Sequence, residues 1–340
     1  MLKHVLLILL ASLLFGCKKE QVVWNSLEDV DITELAADTV FVLEEYRTFP
    51  SLHVLDDATL FLTDIHDPYH YRILNLETGK LGEYYYKGES DTLPIADFPD
   101  LKASLELFNM GTCTSYRYDM ENGKLGVLQN AHLLLDENTP SMGCVKIKED
   151  VYVGIPYYGT RLLKSFKREK GYFEIKEWGE FPLKGGDGTP VYRPYYTGSL
   201  STGNNYLVYG SNQFGYISLY KWEKDKLRTQ WERNLLPSQC KVRSNGVVFE
   251  NGHSQGFEEV RIANNHIYAL NYVGITKRSP LKNTITVLDL KGRIVGRFTT
   301  HEPMYALAVD SKENYLYTTL LRKKGEKSCI VRYKLPETWQ

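Results

Sequence analysis

The segment Arg72-Ile73-Leu74-Asn75-Leu76, followed by Glu77-Thr78-Gly79-Lys80, decides the fold because its pattern recurs along the chain. It is a short apolar strand that ends in a turn, and it returns as Tyr116-Arg117-Tyr118-Asp119-Met120 followed by Glu121-Asn122-Gly123-Lys124. Turns of this kind lie at Gly79, Gly123, Gly171, Asp225 and Gly292, at intervals of 44, 48, 54 and 67 residues. Such intervals approach the ~40–50 residues of a β-propeller blade.

A second kind of turn precedes each of these hairpins. It is built on acidic or amide residues flanked by short apolar strands, at Asp56-Asp57, Glu149-Asp150, Asn204-Asn205, Asn264-Asn265 and Glu313-Asn314. The repeating unit is therefore four strands. Five units and a final incomplete one predict an all-β fold, a six-bladed β-propeller with four-stranded antiparallel blades; seven blades are the alternative.

The last unit runs out of chain before its outer strand. We expect the N-terminal run Thr39-Val40-Phe41-Val42-Leu43-Glu44 to supply that strand, which would join the first and last blades and protect an open edge. The second unit is the least clear, because its first hairpin near Leu101 to Gly111 has no obvious turn pair.

The first residues have the pattern of an export signal. Lys3 and His4 precede an apolar run from Val5 to Phe15, which falls well below the ~20 residues needed to span a bilayer. The following Gly16-Cys17 resembles the lipobox of bacterial lipoproteins, in which the cysteine is lipidated with acyl chains such as palmitate. This predicts a signal peptide over 1–16, the lipidated Cys17 and a polar tether over 17–38, and a single propeller domain over 39–340.

The amino-acid composition limits the kinds of partner that we expect the protein to bind. The chain has 41 Lys+Arg against 42 Asp+Glu, and this balance argues against nucleic acid as a partner, because such binding depends on an excess of cations. The lipid on Cys17 is expected to be the membrane contact, in the bacterial cell envelope as an outer-membrane lipoprotein facing either the periplasm or the exterior. The 25 Tyr and 13 Phe suit pleated, half-buried surfaces.

Four further cysteines, Cys113, Cys144, Cys240 and Cys329, are widely spaced and form no CxxC pair. Their spacing gives little support to a zinc site or a thioredoxin-type redox centre. In an exported chain they are either buried thiols or disulfide partners, with three possible pairings.

The C-terminal third carries a family resemblance. Gly256-Phe257-Glu258-Glu259-Val260, Ile267-Tyr268-Ala269-Leu270, Ile285 to Gly292 and Ile330-Val331-Arg332-Tyr333-Lys334-Leu335 resemble the TolB-like six-bladed propeller lipoproteins of Gram-negative envelopes. These motifs are structural, so the resemblance implies a fold and a location and carries over no catalytic residues. Lys87-Gly88-Glu89-Ser90 replaces the Gly-Pro-Gly-Glu-like segment of many such relatives.

Connection lengths predict where a ligand would bind. The turns on one face are tight, whereas the connections on the other are long: Thr63 to His70, Tyr86 to Asp100, Ile155 to Arg161, Pro182 to Thr197, Arg233 to Phe257 and Asn271 to Asn283. Because functional residues concentrate in loops on a rigid scaffold, we expect a ligand at the long-loop face and the channel mouth.

Tyrosines with polar neighbours are the candidate ligand-binding residues in these loops. The set is Tyr157, Tyr158, Arg161, Arg193, Tyr195, Tyr196, Asn212, His253, Asn271 and Tyr272. Such side chains suit sugars, peptides or a protein partner. The alternative, favoured because buried tyrosine is common, is that the rings pack blade against blade.

Other motifs predict no cofactor or metal. His66, Asp67 and His70 are close, but Pro68 prevents the helix that would align the two imidazoles. The glycine-rich run from Lys184 to Gly188 lacks the Lys-Ser/Thr of a phosphate loop. No catalytic motif stands out.

These observations favour a non-enzymatic module that binds an envelope protein or a glycan. The alternative is a metal-dependent hydrolase or lactonase that uses the propeller channel, which rests on fold analogy.

Overall fold

The computed structural model describes part of the chain. The described residues are 23–24, 27, 30–43, 49, 51–63, 71–83, 104–109, 114–121, 124–133, 141–157, 159–169, 172–183, 196–236, 240–243, 246–249, 255–273, 284–320 and 326–336. They form 27 β-strands and no α-helix, so no described helix could cross a membrane. The all-β prediction is confirmed.

Three strands precede the first blade. They are β1 (Val23–Trp24), β2 (Ile32–Glu34) and β3 (Ala37–Val42). Each joins the outer edge of a different blade, and we call residues 23–42 the strap.

Five blades follow, each built on four consecutive antiparallel strands or on three strands completed by the strap. Blade 1 is β4 (Ser51–Asp56), β5 (Thr59–Thr63), β6 (Tyr71–Asn75) and β7 (Leu81–Glu83). A three-stranded sheet comes next, with β8 (Ser104–Asn109), β9 (Thr114–Glu121) and β10 (Lys124–Leu133). Blade 2 is β11 (Ser141–Lys148), β12 (Val151–Pro156), β13 (Leu163–Glu169) and β14 (Tyr172–Trp178).

The remaining blades each carry a strand of the strap. Blade 3 is β15 (Gly198–Gly203), β16 (Tyr206–Ser211), β17 (Gly215–Glu223) and β18 (Lys226–Leu236), with β1 outside β18. A separate hairpin follows, β19 (Cys240–Arg243) and β20 (Gly246–Phe249). Blade 4 is β21 (Gln255–Ile262), β22 (His266–Val273), β23 (Thr284–Asp289) and β24 (Ile294–Thr299), with β2 outside β24. Blade 5 is β25 (Met304–Val309), β26 (Tyr315–Leu320) and β27 (Cys329–Lys334), completed by β3.

The blades pack side by side through apolar clusters, one between each neighbouring pair from blade 2 through blades 3, 4 and 5 to blade 1. Alternation along β16 shows how one strand serves two interfaces. Leu207 and Tyr209 pack toward blade 2, whereas Val208 packs toward blade 4. Side chains of successive strand residues point to opposite faces, so a continuous apolar run is buried on both sides.

The predicted closure is confirmed. β3 pairs antiparallel with β27 as the fourth strand of blade 5, with Phe41 opposite Ile330 and Thr39 opposite Arg332. Asp38 forms a salt bridge with Arg332, whose guanidinium lies 4.5 Å above the Tyr315 ring. The first and last parts of the domain thus share one sheet.

The short turns predicted from the sequence have the backbone conformation expected of them. Gly79, Asp225 and Gly292 have φ of 67°, 56° and 78°, the left-handed conformation expected of them. Asn204 and Asn205 both have positive φ, as in a two-residue hairpin turn that matches strand twist. We call the face that carries these turns the tight-turn face and the opposite one the long-loop face.

Two expectations are corrected. The structure shows five blades, not six or seven, because the second predicted unit forms the three-stranded sheet β8–β10. In this sheet β9 pairs with both β8 and β10, and residues 84–103 lie outside the described residues. The expected polar tether over 17–38 packs on the blades from Val23 onward, and Leu27 and Leu35 are buried.

Candidate functional site

The innermost strand of each blade has one edge without a ladder partner, and in blades 1, 2, 4 and 5 a side chain of another blade bonds to the backbone of that strand. The carboxylate of Glu259 on β21 accepts a hydrogen bond from the Leu307 backbone N–H on β25. Arg261 Nε donates to the Leu307 carbonyl at 2.9 Å and Nη2 donates to the Leu52 carbonyl of blade 1 at 3.5 Å. Glu259 and Arg261 also form an ion pair with each other. This pair therefore joins blades 4, 5 and 1.

Blade 3 does the same with hydroxyl groups. Ser199 and Ser201 Oγ accept hydrogen bonds from the Val260 and Ile262 backbone N–H groups, both at 3.1 Å. On the other side, Thr202 Oγ1 donates to the Lys146 carbonyl of blade 2 at 2.9 Å. Backbone groups that would otherwise lack partners near the axis are thus satisfied between blades.

Above the Glu259–Arg261 pair, two β-bulges place polar side chains at the long-loop end of neighbouring inner strands. Glu258 is the extra residue in β21, between the pairs Phe257–Asn271 and Glu259–Leu270. Tyr305 holds the corresponding position in β25. A β-bulge interrupts the alternation of side chains between the two faces of a sheet and so changes the direction of one side chain. Bulges are common beside functional sites.

Electrostatics link these two residues. Burial raises the pKa of the Glu258 carboxyl above its ordinary value. Burial also raises the pKa of the Tyr305 hydroxyl, and the negative charges of Glu258 and Glu259 add to that effect. Tyr305 is thereby kept as a neutral hydrogen-bond donor close to a carboxylate.

His53 lies near the same pair on blade 1. Its Nε2 is 2.7 Å from Ser51 Oγ. Burial, and then the charge of Arg261, hold the pKa of His53 well below its usual range. The imidazole is therefore neutral at physiological pH, and its short contact to Ser51 is a hydrogen bond that fixes the ring.

Two buried amide oxygens lie where blades 3 and 4 meet, beside the start of β21. Among the described residues, no donor reaches the buried Oδ1 atoms of Asn212 and Asn271. Asn271 Nδ2 donates to Thr286 Oγ1 at 3.3 Å, which directs the amide. Asn212 lies against the start of β21 at Gly256, and Asn271 pairs with the next residue, Phe257. We call Asn212, Glu258, Asn271 and Tyr305 the acceptor rim.

Gly256 is where blades 3 and 4 approach most closely at this rim. A Cβ there would lie 2.2 Å from the Asn212 carbonyl oxygen and 2.4 Å from that of Ser211. We expect Gly256→Ala to lower the free energy of unfolding by about 1–3 kcal/mol, because two backbones must move apart. Urea unfolding of the purified domain measures this.

Gly143→Ala on β11 is the matched control, because among the described residues no atom beyond its own chain neighbours lies within 4 Å of its added Cβ. Its expected effect is within about 0.5 kcal/mol. Equal effects of the two substitutions would show that the contact between Gly256 and Asn212 is not tight.

Four other candidates from the sequence lie in the described part of the chain: Tyr157, Arg161, Tyr196 and, by its backbone, Tyr272. The Tyr196 ring is fully buried, 4.7 Å from the Phe181 ring, and its hydroxyl donates to the Leu183 carbonyl at 2.5 Å, as the packing alternative requires. Tyr157 is 43% exposed, and Arg161 pairs with Glu180 on blade 2. Tyr272 pairs with Gly256 in the ladder. The structure thus brings Asn212, Asn271 and the Tyr272 backbone together.

The other predicted positions cannot be placed. Outside the described residues lie Cys17, His66, Asp67, His70, Cys113, Tyr158, Lys184 to Gly188, Arg193, Tyr195 and His253. Cys144 and Cys329 are buried thiols. Within the described ranges, no group of three or more His, Cys, Asp or Glu side chains is placed to hold a metal ion.

Sequence reasoning missed the axial residues Ser51, His53, Glu258, Glu259 and Tyr305 as candidates. Glu259 and Arg261 did leave a signal, because they alternate with the apolar Val260 and Ile262 and so share one strand face. The bulges at Glu258 and Tyr305 gave no such signal in the sequence.

No family model matches this sequence, and no curated protein matches it. Solved structures with similar folds include a gluconolactonase from Xanthomonas campestris, with a TM-score of 0.50 and 9% identity over 90% of this chain and 96% of that one. A luciferin-regenerating enzyme gives 0.50 and 10% identity, covering 88% of this chain and 96% of the other. The WD40 repeats of RRP9 also give 0.50 and 10%, covering 89% and 100%. At these identities the likeness establishes the β-propeller fold alone.

Proposed function

We propose that this chain is a lipid-anchored protein of the bacterial envelope that binds a hydroxyl-rich ligand, a glycan, at the acceptor rim. Cys17 would carry the lipid, and the propeller would act as a binding module rather than an enzyme. Kinship with TolB-like lipoproteins belongs to this proposal and is supported by the shared propeller architecture.

We infer the chemical class of the ligand from the hydrogen-bond acceptors at the rim. The rim offers hydrogen-bond acceptors. Among the described residues no donor reaches the Asn212 and Asn271 Oδ1 atoms, and burial raises the pKa of the Glu258 carboxyl. A buried acceptor without a donor is costly, so a ligand rich in O–H groups gains by supplying one. The neutral Tyr305 hydroxyl adds a donor and an apolar ring face, a combination suited to sugars.

Binding should depend on Glu258. We expect Glu258→Gln to weaken glycan binding about 10- to 100-fold, because a hydrogen bond to a charged group contributes about 1.5–3 kcal/mol. A glycan array with the soluble domain would identify the ligand, and titration calorimetry would give the change in Kd. Tyr305→Phe should weaken binding less, because it removes one neutral hydroxyl.

Glu77→Gln is the control, since this exposed side chain lies in a turn of blade 1 on the tight-turn face. Unchanged Kd in Glu258→Gln would place the site elsewhere. A protein partner recovered from envelope extracts, lost on Glu258→Gln and not competed by glycans, would replace the glycan with a protein at the same rim. Tyr196→Ala is unsuitable as a probe because that ring belongs to the core.

The metal-dependent hydrolase or lactonase is the second candidate. Glu258, Asn212 and Asn271 offer carboxylate and amide oxygens, the ligand types that hard divalent cations prefer. Elemental analysis of the purified domain separates the two functions. A stoichiometric divalent ion that is lost in Glu258→Gln would favour the enzyme.

A further inference from the structure

The strap follows a directed course across three blades. Val23 and Trp24 pair with Arg233 and Asn234 on blade 3, and Ile32 to Glu34 pair with Arg297 to Thr299 on blade 4. Between these strands, Arg297 Nη1 donates to the Leu27 carbonyl at 2.8 Å and to the Val30 carbonyl at 3.4 Å. The described parts of the strap are therefore fixed to blades 3 and 4.

The direction of β1 indicates where the chain comes from. β1 runs parallel to β18, and β18 starts at Lys226 directly after the Lys224–Asp225 turn of the tight-turn face. Val23 is level with Arg233, seven residues into β18, so the chain reaches Val23 from the side of that turn. Cys17 and Val23 are six positions apart in the sequence, a reach of about 20 Å at most.

The surface at this end of blade 3 suits an anionic membrane. Lys224, Lys226 and Arg228 are exposed there. The nearby carboxylates are engaged by other lysines, since Asp225 pairs with Lys167 at 3.2 Å and Glu223 pairs with Lys221 at 2.6 Å. Lys18 and Lys19 follow the lipidated position in the sequence. Clustered cations next to a lipid anchor are attracted to anionic headgroups.

We propose that the strap holds the tight-turn face of blade 3 against the lipid bilayer, so that the long-loop face with its acceptor rim points away from the membrane. This orientation rests on the lipid anchor of the proposed function. It assigns opposite tasks to the two faces: one contacts lipid and the other meets the ligand.

Quenching of site-specific fluorophores tests the orientation. The lipidated full-length protein would be reconstituted in vesicles containing phosphatidylglycerol and lipids with a nitroxide on the headgroup. One label is placed at Lys226→Cys on the tight-turn face and another at Tyr157→Cys on the long-loop side of blade 2, each with Cys113→Ser and Cys240→Ser. We expect quenching several times stronger at position 226 than at 157.

A flexible insert supplies the control. Twenty Gly/Ser residues placed after Gln21 would span about 25 Å on average, so the difference between the two labels should shrink. Vesicle flotation with equal quenching, or stronger quenching at position 157, would overturn the orientation and leave the lipid anchor intact. Failure of the lipidated protein to float, or flotation that persists in Cys17→Ser, would overturn the anchor and the orientation together.

Discussion

Deletion of residues 1–44 is expected to abolish folding of a soluble propeller. It removes β3, the fourth strand of blade 5, together with the buried Leu43 and the salt bridge between Asp38 and Arg332. β27 would then present six residues of unpaired backbone, and an open edge of this kind promotes association between chains. Because native stability is only about 5–15 kcal/mol, the loss of a whole strand and its packing should exceed what the fold can tolerate.

Shorter deletions serve as controls. Deletion of 1–22 leaves all three strap strands, and its urea unfolding should match that of the longer chain. Deletion of 1–36 removes β1 and β2, which lie outside sheets that already have four strands, so the domain should fold with reduced stability. Size-exclusion chromatography and circular dichroism would compare the series. A monomeric, cooperatively unfolding 1–44 deletion would mean that the ring does not need the strap for closure.

Glu259→Leu is expected to lower the free energy of unfolding by about 3–5 kcal/mol, the usual cost of removing one partner from a buried ion pair. The substitution leaves the Arg261 guanidinium buried without its carboxylate, and it removes the acceptor for the Leu307 N–H. Since these bonds join three inner strands, the cost falls on blades 4, 5 and 1 together.

A double substitution separates the two contributions. Adding Arg261→Met to Glu259→Leu removes the uncompensated charge, so part of the lost stability should return. Glu258→Gln is the matched single control, because this neighbour lies on the bulge and should change stability by about 0.5 kcal/mol or less. Urea midpoints measure all three variants. A Glu259→Leu midpoint equal to that of Glu258→Gln would refute the structural role of the pair.

Local patterns predicted the blades well. The apolar run within Thr39 to Glu44, together with the missing outer strand of the last unit, was sufficient to identify the closing strand, and residues that favour positive φ marked the turns at Gly79, Asp225 and Gly292. The blade count failed where the second unit lacks a recognisable first turn. The sequence did not indicate that the strap packs on the blades, because Leu27 and Leu35 are isolated apolar residues whose burial depends on distant blades.

The site was harder to predict because it depends on convergence. Tyr196 and the rim residue Asn271 belong to the same list of polar loop candidates, yet one packs in the apolar core and the other leaves a buried amide oxygen without a donor among the described residues. Register shifts decide the positions of Glu258 and Tyr305, and a shift of one residue in pairing has no signature in a single strand.

The β3–β27 pairing has a consequence for biogenesis. Asp38 and Arg332 are 294 residues apart, so the first blade-forming strand to be synthesised is used last. Contacts of such long sequence separation form slowly, and a partly synthesised chain lacks its C-terminal partner altogether. The polypeptide should therefore remain open, and accessible to chaperones, until β27 has been synthesised.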